Sequence, residues 1–385
     1  MKLVLVSSFL NHHQQPLCEA FHSICDDFWF VATESAHNVG YQVSGEAEYV
    51  LHYFDDLEKE LVRQRVLEAD IVIFGACPTE LIEYRMKGNK LSFVYSERFF
   101  KKGTWRRFVP STRKAIKRRI VDQSRKSLYV LSASAFLSYD LSLLGYPTEK
   151  CFKWGYFPRQ REYENIGEVI DNKKPNTILW CGRLIGLKHA EHAVTVAKML
   201  KDNGYEFELN IIGDGVEKNK LEELIKRTGL SDCVRLVGSK SADEVRKYME
   251  YSQIFLFTSN RMEGWGAVLN ESMNAGCAVV ASHAIGSVPF LIDEGINGEV
   301  YESGNVKELY NKIATLLDNP QDMREMGERA YHTLVDEWNA KEAATRLITL
   351  AQTLETKENA DSIFVSGPCS QANVIKDVWY KKKRS

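Results

Sequence analysis

The stretch from residue 253 to residue 282, QIFLFTSNRMEGWGAVLNESMNAGCAVVAS, decides the fold class. Its first six and last six residues are short apolar runs of the kind that form buried strands. Between them lie a loop with Glu263 and a helical pattern that contains Glu271 and ends at Gly276, since glycine commonly stops a helix. The stretch therefore predicts a strand, a loop, a helix and a second strand of a parallel sheet.

The loop in this stretch is the first candidate binding site. Glu263 would follow the carboxyl end of a strand, which is where open α/β sheets bind their ligands. Gly264 and Gly266 are expected to open the helix, and a helix start offers free N–H groups to an anion. The expected ligand therefore carries a phosphate.

The same alternation of strand and helix runs through most of the chain and predicts two Rossmann-like α/β domains with parallel sheets. The predicted strands of the first half are 3–7, 28–33, 70–75, 91–96 and 127–132. Those of the second half are 177–182, 207–213, 234–238, 253–258 and 277–282. After these strands, the segments 305–317, 321–337 and 340–357 are predicted to be helical.

The domain boundaries follow from this alternation and from a polar linker predicted over residues 159–176. We expect an N-terminal domain over 1–165 and a C-terminal domain over 166–338. A helix over 339–357 is expected to pack back on the N-terminal domain, and the tail 358–385 to be partly flexible.

The composition limits the function classes. The chain has 385 residues, 44% of them hydrophobic, with a net charge of −2. This charge gives no global attraction to nucleic acid or to anionic lipid. The eight cysteines are scattered without metal-ligand spacing, and no apolar run is long enough to span a membrane. We therefore expect a cytoplasmic protein that binds no nucleic acid.

Two further loops would meet at the same sheet edge as Glu263. In CGRLIGLK, 181–188, Arg183 follows Gly182 at a strand end and Lys188 starts the next helix. Such a basic pair suits a diphosphate, although surface Arg and Lys are more often only solvated. The second loop, IIGDG at 211–215, contains Gly213 in a tight turn that is structural as often as functional.

Together these motifs resemble the retaining GT-B glycosyltransferases of the "glycosyl transferases group 1", or family 4, class. The resemblance covers about residues 175–345 and includes GRL with Lys188, IIGDG, VRLVG, and two glutamates eight apart before NAGCAVVAS. It implies that Arg183 and Lys188 hold the diphosphate of a nucleotide sugar and act in catalysis with Glu263. It also implies that Glu271 binds the ribose hydroxyls. The other implied donor-binding residues are Gly182, Gly213 and the backbone N–H groups of Gly264, Trp265 and Gly266.

The resemblance predicts transfer of a sugar from a UDP- or GDP-sugar to a lipid-linked or saccharide acceptor in surface polysaccharide assembly. It also implies that the two domains face each other across a cleft, with the acceptor bound by the domain over 1–165 and the nucleotide sugar by the domain over 166–338. No cofactor or metal is expected, because cationic side chains can stabilise the leaving diphosphate and the chain has no D-x-D sequence. Two alternatives stay open. One is a nucleotide-sugar epimerase of the same architecture, and the other is a non-catalytic nucleotide-sugar-binding partner.

The first half departs from the family pattern. Asn11, His12 and His13 stand where glycine-rich sequence is common, and they are candidate acceptor contacts. Glu97 and Arg98 stand where many members have a histidine, and they are candidates for the same role. Phe290 replaces an acid that usually follows this proline, with a consequence that the sequence does not assign.

A basic segment, residues 98–119, contains ten Lys or Arg and no acid, with Trp105 and Phe108 among its aromatics. One interpretation is that this segment contacts an anionic membrane at the inner face of the cell membrane, or a lipid-diphosphate acceptor. The other is that it is a solvated face.

Overall fold

In the computed structural model of the chain, the described residues are 1–35, 47–356 and 363–382. They divide into two units. Unit 1 contains Met1–Arg159 and Trp338–Lys376, and unit 2 contains Gln160–Glu337 and the residues from Asp377 onward. Residues 358–362 and 383–385 of the tail that was expected to be flexible lie outside the described residues.

Unit 1 is built on a seven-stranded sheet in which each strand is parallel to its neighbours, with the order β3-β2-β1-β4-β5-β6-β7. Its strands are β1 (Lys2–Ser7), β2 (Asp27–Ala32), β3 (Val50–His52), β4 (Ile71–Phe74), β5 (Ser92–Ser96), β6 (Leu128–Ser132) and β7 (Cys151–Lys153). Its first five helices are α1 (Gln15–Ile24), α2 (Lys59–Glu68), α3 (Thr79–Lys87), α4 (Pro110–Arg119) and α5 (Leu137–Ser142). All four residues of β4 are buried, as expected for a central strand covered on both faces.

Unit 2 is built on a six-stranded parallel sheet with the order β10-β9-β8-β11-β12-β13. Its strands are β8 (Lys174–Cys181), β9 (Glu208–Ile212), β10 (Val234–Gly238), β11 (Ser252–Phe257), β12 (Ala278–Ser282) and β13 (Glu299–Tyr301). Its helices are α6 (Ile166–Asp171), α7 (Ala190–Asp202), α8 (Lys218–Arg227), α9 (Ala242–Tyr251), α10 (Val268–Asn274), α11 (Val288–Leu291), α12 (Val306–Asp318) and α13 (Pro320–His332).

The end of the chain contributes to both units. Helix α14 (Ala340–Thr356) packs against α1 in unit 1. Gln371 then forms an antiparallel bridge with Phe152 of β7. The short helix α15 (Trp379–Lys382) belongs to unit 2, where the Tyr380 hydroxyl lies 2.7 Å from the carbonyl oxygen of Val300. Over the three described ranges, no helix is both long and apolar enough to cross a bilayer.

Two parallel α/β sheets confirm the predicted fold class, and the local differences have simple causes. The predicted linker 159–176 contains helix α6, because Ile166 and Ile170 pack against Tyr331. Helix α10 begins at Val268, so Gly264 and Gly266 lie in the loop before it and do not open the helix. The expectation of a helix start at these glycines was therefore wrong.

Candidate active site

The strand order of unit 2 reverses between β8 and β11, its two central strands. From β8 the sheet grows outward through β9 to β10, and from β11 it grows the other way through β12 to β13. Ligands of open α/β sheets bind at such a switch point, outside the carboxyl ends of the strands. The two loops that leave β8 and β11 lie side by side here. We call residues 182–189 the Lys188 loop and residues 258–267 the Glu263 loop.

Lys188 and Glu263, which the sequence places in different loops, form an ion pair at this edge. Each side chain is 14% exposed, so the pair is largely screened from water but open at one side. The Glu263 carboxylate also accepts a hydrogen bond of 2.9 Å from the Ser259 hydroxyl. The ammonium group of Lys188 lies 5.8 Å from the centre of the Phe257 ring. The structure thus holds one cation and one carboxylate together at the point where a ligand of this sheet would bind.

The loops after β8 and β9 approach each other so closely that only glycine fits. Gly213 has φ +140°, and a Cβ atom built there would lie 1.9 Å from the carbonyl oxygen of Gly182. The backbone N–H of Gly182 donates to the carbonyl of Ile212 at 3.0 Å. The close contact between Gly182 and Gly213 therefore fixes the position of the backbone just before Arg183.

Arg183 and Glu271 are the other two ionisable candidates. Arg183 is exposed, and no hydrogen bond or ion pair reaches its guanidinium from the part of the chain that the structure describes. Glu271 lies on α10, and burial raises the pKa of its carboxyl to about 7, while Arg246 opposes that rise. The Arg246 guanidinium donates to the backbone carbonyl of Glu271 at 2.8 Å. Arg183 is thus available to a ligand, and the pKa of the Glu271 carboxyl lies near neutral pH.

The Gly264-Trp265-Gly266 sequence lies in the Glu263 loop, before α10. The Trp265 ring is fully buried, and its indole N–H donates to Asn270 at 2.9 Å, so only the backbone of this residue faces the loop. Gly266 has φ +84°, and a Cβ atom there would lie 2.3 Å from the Phe257 ring. The backbone N–H groups of Gly264 and Gly266 donate no hydrogen bond to any residue in the described ranges. Phe290, which replaces the expected acid, has its ring centre 6.4 Å from that of Trp265.

The acceptor candidates lie in unit 1, at the carboxyl ends of β1 and β5. The Asn11 side chain is used in a local turn, since its oxygen accepts the backbone N–H groups of His13 at 3.0 Å and Gln14 at 3.1 Å. Burial, with a smaller effect of His12, lowers the pKa of His13 to about 4. Partial burial of its ring also lowers the pKa of His12, although much of the residue's surface stays exposed. Both rings are therefore neutral at physiological pH.

Glu97 and Arg98 have different surroundings although they are adjacent. Glu97 is half-buried, forms an ion pair with Lys101 and accepts a hydrogen bond of 2.8 Å from the Tyr156 hydroxyl. Arg98 is fully buried and forms an ion pair of 3.1 Å with Asp140. Glu97 can therefore reach a ligand, whereas the guanidinium of Arg98 is enclosed.

Sequence reasoning missed a cluster beside Lys188 that contains His189, Glu191 and His192, with potential metal-ligating atoms within 4.8 Å of one another. The two imidazole planes are nearly parallel, at 8°, with ring centres 4.7 Å apart. A metal ion lies in the plane of each imidazole that binds it, so two parallel rings cannot share one without reorienting. The geometry fits a hydrogen-bonded cluster better than a metal centre. The signal in the sequence was the H-x-E-H spacing directly after the basic loop.

The two sheets, each with its switch point, define the GT-B class of fold. Among solved structures, HepE of Anabaena in complex with UDP is similar to this chain with a TM-score of 0.68, at 16% identity, covering 92% of this chain and all of that one. Within unit 2, residues 163–333 match the family described as "Glycosyl transferases group 1".

Two curated relatives carry specific names. The amylovoran biosynthesis glycosyltransferase AmsK of Erwinia amylovora is 31% identical over 50% of this chain and 48% of its own length. The alpha-D-kanosaminyltransferase of Streptomyces kanamyceticus is 30% identical over 40% of this chain and 39% of its own. The matches thus span about half or less of these relatives.

Proposed function

We propose that the protein is a retaining hexosyltransferase that moves a sugar from a UDP- or GDP-sugar to a lipid-linked or saccharide acceptor in surface polysaccharide biosynthesis. The observation that carries this proposal is the Lys188–Glu263 pair at the switch point of unit 2, inside the part of the chain that matches the glycosyltransferase family. The likeness to a UDP complex supports a nucleotide donor, and the likeness to an amylovoran enzyme supports a saccharide product.

The chemistry follows from the charges at this edge. When the bond between the sugar and the diphosphate breaks, negative charge grows on the diphosphate and positive character on the sugar ring. Arg183 and Lys188 would stabilise the former, and the Glu263 carboxylate the latter. We propose that no metal ion takes part, because the side chains of Arg183 and Lys188 supply the positive charge. Glu271 would accept hydrogen bonds from the ribose hydroxyls.

We also propose that residues 98–119 attach the protein to the inner face of the cell membrane. Trp105 and Phe108 are 58% and 67% exposed, which is unusual for aromatic side chains. Half of the ten cations in the segment are already used: Arg98, Lys101, Lys117 and Arg118 pair with acids, and Arg119 donates to backbone carbonyls. The cations without an acidic partner in the described ranges are Lys102, Arg106, Arg107, Arg113 and Lys114.

The proposed function is tested by incubating the protein with a panel of UDP- and GDP-sugars, with water or an added saccharide as the acceptor of the sugar, and measuring free nucleotide diphosphate. We expect wild type to release it from at least one donor, and Arg183→Ala and Lys188→Ala each to lower the rate about 10²- to 10³-fold. Lys198→Ala is the matched control, because Lys198 also pairs with an acid but lies on the exposed side of α7. Near-normal release by both site variants contradicts the assignment, and binding without release by wild type favours the non-catalytic partner.

A further inference from the structure

His189 has a backbone conformation that its residue type rarely adopts. Its φ is +49°, in the left-handed region, although it has a side chain. Non-glycine residues in this region are uncommon and persist where surrounding contacts hold them. His189 directly follows Lys188 and precedes helix α7. Its conformation therefore fixes the direction in which the chain leaves the Lys188 loop.

The imidazole of His189 bridges two parts of the site. Its Nε2 atom lies 3.0 Å from the Asn260 amide nitrogen, in the Glu263 loop. Its Nδ1 atom lies 2.7 Å from the Glu191 carboxylate, in the first turn of α7. The tautomer that satisfies both contacts accepts from Asn260 at Nε2 and donates from Nδ1 to Glu191. The ring thus joins the Glu263 loop to α7.

Backbone contacts continue the same junction. The Asn260 N–H donates to the carbonyl of Leu187 at 3.0 Å, and the Thr258 hydroxyl donates to the carbonyl of Lys188 at 2.7 Å. Lys188 and His189 therefore each have a hydrogen bond to the Glu263 loop, one through the backbone and one through the side chain. The only charged link between the two loops in the described ranges is the Lys188–Glu263 pair itself.

We propose that His189 is a positioning residue that, through Asn260, holds the Lys188 loop against the Glu263 loop, so that Lys188 is preorganised for the diphosphate. This inference rests on the proposed function. A fixed cation needs no reordering when the ligand arrives, which is where preorganisation gains affinity. A variant without the ring keeps the Lys188 side chain but loses one of the contacts that hold the Lys188 loop in position.

The first experiment measures the affinity for UDP and for GDP by calorimetry in wild type and in His189→Gly. Glycine accepts a left-handed conformation without strain, so this variant removes the ring and keeps the backbone. We expect the better-bound nucleotide to bind about fivefold more weakly, the effect of one lost hydrogen bond. Asn176→Gly is the matched control, because Asn176 also has positive φ, at +54°, but lies in β8 at the opposite sheet edge. We expect it to bind like wild type.

The second experiment separates positioning from folding. A glutamine amide can replace the Nε2 contact of His189 to Asn260, whereas an asparagine amide can replace only the Nδ1 contact to Glu191. Asparagine tolerates the left-handed region better than glutamine. His189→Gln should therefore bind the nucleotide more tightly than His189→Asn although it unfolds more easily. A purely structural role gives the same order for binding and stability.

The third experiment tests whether His189 acts through Lys188. The double variant His189→Gly/Lys188→Ala should bind no more weakly than Lys188→Ala alone, because the two changes remove one interaction. Additive losses overturn the inference, as does equal affinity of His189→Gly and wild type. If wild type binds neither UDP nor GDP, the proposed function fails and this inference fails with it.

Discussion

At the scale of single residues, Glu271 gives the site a dependence on pH. Burial raises the pKa of its carboxyl in the folded protein to about 7, whereas in the unfolded chain it has its ordinary value of 4.5. Between pH 4.5 and pH 7 the carboxyl is ionised in the unfolded chain but still protonated in the folded protein. Its contribution to the stability of the fold is therefore complete below pH 4.5 and is lost as the pH rises through 7. In the absence of a ligand, the folded protein is therefore less stable with Glu271 ionised than with Glu271 protonated.

We predict that the free energy of unfolding of Glu271→Gln, measured relative to that of wild type, increases by about 1–3 kcal/mol as the pH rises from 4.5 to 7.5. Urea denaturation at several pH values measures this difference. A constant difference between Glu271→Gln and wild type would show that Glu271 is already ionised in the folded protein.

The residues of the site were predictable to different degrees. Arg183, Lys188 and Glu263 could be selected because each follows a strand whose apolar run is clear in the sequence. The roles assigned to them stay predictions. The enclosure of Arg98 could not be foreseen, because its partner Asp140 is 42 residues away and carries no local signal. Asn260 was missed because its side chain contacts a ring from a different loop.

At the scale of secondary-structure elements, the predicted strands and helices were accurate where an apolar run was long. The three-residue strands β3, β7 and β13 were missed, because three residues show no periodicity. Helix α6 was missed because it is only six residues long and lies in a polar segment. The parallel order of the strands followed from the alternation of strand and helix, and the structure confirms it.

The crossing of the loops after β8 and β9 gives a prediction at this scale. Gly213→Ala should lower the free energy of unfolding by more than about 2 kcal/mol and weaken UDP or GDP binding, because its Cβ meets the backbone of Gly182. Gly204→Ala is the matched control: Gly204 also has positive φ, at +80°, but no atom lies within 4 Å of its built Cβ. We expect a loss of only about 1 kcal/mol there. Chemical denaturation and calorimetry measure both quantities, and equal effects of the two substitutions would contradict the argument.

At the scale of the whole molecule, we predict that the protein binds liposomes that contain acidic lipid and that salt releases it, since each exposed Lys or Arg near such a surface contributes about 1 kcal/mol. Trp105→Ala/Phe108→Ala should weaken this binding at every salt concentration. Reversing four unpaired cations of the segment to glutamate should abolish it. The four are Arg106, Arg107, Arg113 and Lys114.

The matched control reverses four exposed cations of unit 2, which gives the same change in net charge. These are Lys226, Arg227, Lys247 and Lys307. Co-sedimentation with liposomes measures the binding, and UDP or GDP affinity should be unchanged in both variants. If the control variant loses as much binding as the segment variant, the attraction is a matter of overall charge and the segment is only a solvated face.

The return of the chain to unit 1 has a consequence for synthesis on the ribosome. Helix α1 emerges early, with Leu17, Cys18 and Phe21 among the side chains that are buried in the finished protein. Its neighbour α14 is translated only after the 315 residues of 25–339. At about 5–20 residues per second, α1 waits roughly 15–65 s for this partner. During that interval the first unit is incomplete, so a ribosome-bound chaperone that shields α1 would raise the yield of native protein.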